Sequence, residues 1–228
     1  MEVTIRQEAG YNMALYGFSL SYKDRAIKPE DWWYFATLTN CIVREDGVQF
    51  SFTHQGGTYC TKMPCDKCPL YERISRIKKA TKANAGRGNG HDKFLRQIVL
   101  WVDIEAPRYW WSEFDTYKVG TVAQSESTMH TLTKRDLDCS DFQDMEVSPR
   151  QITLINKYRK DPERSLELCK KYLPEGYLQR RMVTLNYGVL HTIINQRKNH
   201  RLKEWAVFIK EIYQQVEHPE LLPEYPYK

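Results

Sequence analysis

The sequence predicts an α+β fold: a central antiparallel or mixed sheet flanked by helices, with a helical C-terminal third. Three observations predict it. Ile98, Leu100, Val102 and Ile104 alternate with Val99, Trp101 and Asp103, the period-2 pattern of a strand with one fully buried face. Between residues 202 and 216 the apolar residues Leu202, Trp205, Ala206, Ile209, Ile212, Tyr213 and Val216 keep helical spacing on one face. Ser148-Pro149 and Asp161-Pro162 each set a capping side chain before a proline suited to the first helical position.

The remaining elements follow in chain order. Val3-Thr4-Ile5 reads as a strand, and residues 13–20 are apolar enough for a core. From Pro29, the acidic pair Glu30-Asp31 followed by Trp32, Trp33, Phe35, Ala36 and Leu38 reads as a helix start. Val48-Gln49-Phe50-Ser51-Phe52 alternates as a half-buried strand that Gly56-Gly57 closes, and Pro107 stops the central strand. The polar segment 133–148 is the one plausible linker, short enough to be a surface loop. One α+β domain over residues 1–228, carrying a Cys-rich and basic insertion at about 54–90, accounts for this order.

Composition narrows the function classes. The 228 residues are 41% hydrophobic, enough for an ordinary core and against disorder. The 34 Lys+Arg against 29 Asp+Glu give a net charge of +5, which permits an anionic partner without requiring one. No run of 18 apolar residues exists, and charges occupy the first eight residues where a secretory leader needs an apolar stretch, so the expectation is a cytoplasmic protein without a membrane span. Six cysteines are too sparse for a disulfide scaffold. Aromatics at 13% suit flat ligands and stacked bases as well as core packing.

Several constellations carry possible chemistry. Cys60, Cys65 and Cys68 have knuckle spacing for structural zinc, with His54, Cys41 or His91 as a fourth ligand; free thiols are the alternative. Residues 73–87 hold Arg73, Arg76, Lys78, Lys79, Lys82 and Arg87 and no acid, fit to track phosphates, to hold a mononucleotide or folate tail, or simply to form a solvated helix face. Residues 106–132 gather Tyr109, Trp110, Trp111, Glu113, Phe114, Tyr117 and Lys118 with hydroxyls in one helix-and-loop length, as a ligand site or as core and subunit contacts. Arg180 and Arg197, beside residues read as apolar and helical, are either phosphate clamps or surface ion-pair partners.

The order of motifs resembles the flavin-dependent thymidylate synthases, the thymidylate synthase complementing proteins. Gly90-His91-Asp92-Lys93-Phe94-Leu95-Arg96-Gln97-Ile98-Val99 is similar to that family's Gly-His segment, and Ala106-Pro107 to its strand exit. Leu173-Pro174, Arg180, Asn186 and Arg197 then fall at the family's spacing, so the resemblance covers residues 90–216. The family's signature, Arg-His-Arg followed by seven residues and Ser, is not intact: Thr116-Tyr117-Lys118 stand at the triplet and Ser125 or Ser127 near the serine. Glu113 stands where glutamine is usual, and Met129 where a nucleotide-loop arginine is expected.

The resemblance implies a homotetramer with shared sites and a transferase of nucleotide biosynthesis acting on a dUMP-like pyrimidine deoxynucleotide. It implies FAD, methylenetetrahydrofolate and NADPH, and no cysteine nucleophile. Arg180, Arg197, Ser127, Glu113 and Lys118 become the expected substrate contacts, and His91, Gln97, Tyr117 and Asn186 the expected cofactor contacts. Lys118 supplies a point charge in place of a planar guanidinium. Thr116 and Tyr117 remove donors worth about 2 to 4 kcal/mol each at a buried charged contact, so a changed substrate or reaction is one outcome. The alternative is a non-catalytic protein of the same fold that binds nucleotide or nucleic acid through residues 73–87 and its Trp/Tyr surface.

Overall fold

The structure, a computed structural model, describes residues 1–22, 42–43, 49–50, 69–88 and 90–227. The expected helix after Pro29 and the possible metal ligands Cys41, His54, Cys60, Cys65 and Cys68 lie outside the described residues. Of the strand expected at 48–52, Gln49–Phe50 (β3) is described and pairs antiparallel with Ile42–Val43 (β2). The chain divides into two compact units. One contains Met1–Glu8, Val99–Pro219 and Pro223–Lys228; the other contains Ala9–Ile98 and Glu220–Leu222.

The first unit is built on a four-stranded sheet in the order β1-β4-β6-β5, from Glu2–Ala9, Val99–Pro107, Leu178–Asn186 and Thr121–Ser125 respectively. The pairs β4–β6 and β6–β5 are antiparallel. The alternation in β4 does what its sequence demands: Leu100, Val102, Ile104 and Ala106 are wholly buried, and Val183 and Leu185 of β6 share their face. Pro107 ends the strand in an extended conformation that also caps α3 (Arg108–Phe114).

α3 lays Trp110, Trp111 and Phe114 into the core. α7 (Tyr187–Arg197) adds Leu190, Ile193 and Ile194, and α8 (Lys203–Gln215) adds Trp205, Phe208, Ile209 and Ile212. The rings of Trp110 and Trp205 lie 4.8 Å apart, and those of Trp110 and Phe114 5.1 Å. Each large apolar side chain buried here contributes about 1.5–3 kcal/mol. Phe208, fully buried, was not among the helix positions read from the sequence.

A second cluster of Leu132, Leu137, Phe142, Ile152, Ile155, Cys169, Leu173 and Tyr177 sits under α5 (Pro149–Arg159) and α6 (Ser165–Tyr172). The polar segment 133–148 is a surface loop tied down by Leu137 and Phe142 and by ion pairs Arg135–Asp141 and Arg159–Asp136. α5 begins at Pro149 as expected, although the Ser148 side chain makes no capping bond. Asp161-Pro162 starts no helix. Instead Asp161 Oδ1 accepts the N–H groups of Glu163 and Arg164, a turn that delivers the chain to α6 three residues later.

In the second unit, α1 (Tyr11–Ser19) buries Ala14 and Leu15, while Met13 and Leu20, expected in a core, are 56% and 62% exposed. α2 (Pro69–Asn84) turns Ile77 and Thr81 inward, with Arg76, Lys79 and Lys82 exposed. Among the described residues no helix is long and apolar enough to cross a membrane.

Candidate functional site

In the second unit, Gly10 opens α1 with φ +97°, a left-handed conformation that L side chains rarely adopt. A Cβ there would stand 2.1 Å from the Gln97 carbonyl oxygen, so glycine lets α1 lie against the 3₁₀ turn Lys93–Gln97. Phe18 meets Phe94 edge-on at 5.1 Å. Between these elements lies a cavity of about 480 Å³. Phe18 and Phe94 supply its aromatic lining, and Asn84, His91, Lys93 and Gln97 its polar groups. Gly17 keeps the wall open: a Cβ there would lie 3.2 Å from Gln97 Oε1. The volume is in the range of small-ligand pockets.

In the first unit, Arg197 closes α7 within a cluster of its own. Its Nη1 donates to Glu113 Oε2 at 2.7 Å and its Nε to the Tyr117 hydroxyl at 2.8 Å. The guanidinium lies 4.8 Å from the Trp205 ring centroid and 5.4 Å from that of Tyr117. Tyr117 in turn donates to Gln196 Oε1 at 3.0 Å, and His200 Nε2 stands 3.8 Å from Glu113.

Arg180 lies elsewhere. It is on strand β6, not beside helical residues as expected, and β-alternation puts it on the face opposite Arg181, Val183 and Leu185. Asp103 of β4 accepts from Arg180 Nε at 2.8 Å and Nη2 at 2.6 Å, and from Arg6 Nη2 at 2.7 Å. The hydrogen bonds from Arg180, then Arg6, outweigh the opposing effect of burial and hold the Asp103 carboxyl down at about 2. Arg181 faces the core side, where its guanidinium lies 4.2 Å from the Trp111 ring centroid and its Nη1 reaches Asp115 at 2.8 Å.

Asn186 caps α7, its Oδ1 accepting the Val189 N–H at 3.0 Å. Gly120 (φ +82°) comes so close that a Cβ would meet Val189 at 2.9 Å and Asn186 Nδ2 at 3.1 Å. Ser127 is exposed and precedes α4 (Thr128–Thr131). Its neighbour Glu126 donates its N–H to the Arg180 carbonyl at 2.8 Å, so the Ser127 loop is pinned to β6 at Arg180. Lys118 is exposed.

The structure therefore gathers Arg197, Glu113 and Tyr117 into one cluster, and gives Arg180 a separate partner. His91 and Gln97 line the cavity of the second unit, while Tyr117 and Asn186 belong to the first. Sequence reasoning missed Asp103, Lys93 and Asn84. A carboxylate inside an otherwise apolar strand was the available signal for Asp103; nothing in the sequence marked Asn84.

The chain was compared with known proteins. No family model matches it, and no curated protein matches it. Solved structures do. The flavin-dependent thymidylate synthase ThyX of Helicobacter pylori, complexed with FAD and dUMP, aligns over 99% of both chains with a TM-score of 0.64 at 14% identity. A second Helicobacter pylori ThyX structure with FAD and dUMP aligns over 100% of both with a TM-score of 0.65, again at 14% identity. The chain has a ThyX-like fold. Within that fold, the groups around the cavity fit a flat, phosphate-bearing cofactor: Phe18 and Phe94 offer aromatic surface, Gln97 and Asn84 amides for a polar ring edge, and Lys93 a cation for phosphate.

Proposed function

We propose that the chain is a flavin-dependent thymidylate synthase-like enzyme acting on a dUMP-like pyrimidine deoxynucleotide, with a substrate or reaction altered from the family's. The observation that carries this reading is the cavity that brings His91 and Gln97 together with Lys93 and Asn84 in a ThyX-like fold. His91, Lys93, Gln97 and Asn84 would hold the flavin. Bound FAD supplies hydride chemistry, with methylenetetrahydrofolate as carbon donor and NADPH as reductant.

The chain's own work is to orient the substrate and neutralise charge. Arg197 presents a guanidinium fixed over Trp205 and Tyr117, with Glu113 setting its angle. We assign Arg180, on the other face of the sheet, together with the exposed Ser127 and Lys118, to a second seat for an anion. In a homotetramer, seats on opposite faces of one sheet are completed by other copies, which is why we assign the protein that assembly. The test is direct. Purified protein should be yellow and should bind dUMP, with Arg197→Ala weakening binding by roughly tenfold or more. A colourless protein that FAD cannot reconstitute overturns the flavin assignment, and dUMP binding unchanged by Arg197→Ala overturns the clamp.

A second reading rests on the acid-free stretch 73–87, where Arg76, Lys79 and Lys82 of α2 and Arg87 beyond it are exposed. On that reading the protein binds nucleic acid. Engaging all four cations on a single strand gives a log–log salt slope near about −3. Salt-insensitive binding would eliminate it.

A further inference from the structure

Glu8 is the penultimate residue of strand β1, and Glu217 and His218 lie just beyond α8 and its cap Val216, so chain segments 209 residues apart meet at one point. One donor atom from each of the three side chains lies within 4.8 Å of the other two. Glu8 is held by its surroundings: its Oε1 accepts from the fully buried Tyr187 hydroxyl at 2.7 Å and its Oε2 from the Glu217 N–H at 2.9 Å. The His218 N–H reaches the same Tyr187 oxygen at 3.3 Å. Among the described residues neither Glu8 nor Glu217 forms a salt bridge with a lysine or arginine, so two carboxylates share this corner without a matching guanidinium or ammonium.

We propose that Glu8, Glu217 and His218 form a binding site for a first-row divalent metal ion, which staples the N-terminal strand to the segment leaving α8. Two carboxylates and one imidazole are a donor set suited to zinc or manganese. Donors on one tetrahedral zinc ion stand about 3.4 Å apart, so the three groups close in on binding, and the exposed Glu217 has room to move. The hydrogen bonds to Glu8 orient it as outer-shell partners orient metal-bound carboxylates, and each oxygen retains a lone pair. Three protein ligands leave one position of a tetrahedral ion for water. The site is separate from the residues assigned above to substrate and flavin.

The experiment uses the full chain, stripped of metal and titrated with Zn²⁺ in equilibrium dialysis, beside Glu217→Gln and His218→Ala. Cysteines elsewhere in the chain bind zinc equally in all three proteins, so the measure is the difference. The wild type should hold one equivalent more than His218→Ala, and Glu217→Gln should weaken that equivalent by roughly tenfold or more. Zn²⁺ should also slow amide exchange in β1 of the wild type and not of His218→Ala. The exposed, near-isosteric Glu217→Gln keeps the test open should His218→Ala fold poorly. Equal stoichiometry and affinity in the wild type and Glu217→Gln overturn the proposal.

Discussion

Asp103 shows how far one side chain can be shaped by its register. It sits on the face of β4 opposite Leu100, Val102, Ile104 and Ala106, yet its side chain is only 11% exposed because Arg6 and Arg180 close over it. Its carboxyl titrates near 2 in the native chain against about 3.9 unfolded. The native state therefore gains from this group at all pH above about 4, and loses the gain as pH falls through 2. Asp103→Asn should lower stability by a constant amount above about pH 5, and flatten the acid limb of a stability-against-pH curve between about 4 and 2. An acid limb unchanged by the substitution would contradict the ion pair. Cys139 and Cys169, the two cysteines among the described residues, give a second residue-scale prediction. Cys139 is exposed, whereas burial removes Cys169 from solvent and raises its thiol's pKa. An alkylating reagent at neutral pH should label Cys139 well before Cys169, as read by peptide mass spectrometry.

Among the elements, β4 was legible because nothing interrupts its alternation: every second residue from Leu100 to Ala106 is wholly buried. Its partner β6 was not. Leu178-Gln179-Arg180-Arg181-Met182 places a charge on each face in succession, and the core-side charge, Arg181, is tolerated only because Trp111 and Asp115 receive it. No local pattern announces such a pairing, which depends on a helix 70 residues earlier. The helix boundary at Pro149 was legible through proline's fixed φ, while the role assigned to Ser148 was not borne out by its hydrogen bonds. The packing of α1 on the Lys93–Gln97 turn yields a sharper test. Gly10→Ala combines a positive φ with a Cβ 2.1 Å from a backbone oxygen that cannot swing aside. It should destabilise the protein by roughly 2–4 kcal/mol in denaturant titration, and disturb flavin retention if the adjoining cavity holds the isoalloxazine.

For the whole molecule, resemblance across residues 90–216 indicated the architecture, and solved ThyX structures align with essentially the entire chain. The candidate site was only partly legible. Arg197, Glu113 and Tyr117, separated by up to 84 residues, do meet, but the carboxylates that hold the two arginines could not be read from spacing. Each lies on a different strand or helix from its guanidinium, and only the fold brings them into register. Those internal counter-ions alter what ligand capture means. A phosphate arriving at Arg180 or Arg197 finds a cation already spoken for, so association is a swap of one anion for another and its net gain is a difference between two similar attractions. Removing the resident anion should then help the visitor: Asp103→Asn, although it weakens the fold, should tighten dUMP binding roughly two- to fivefold in calorimetry.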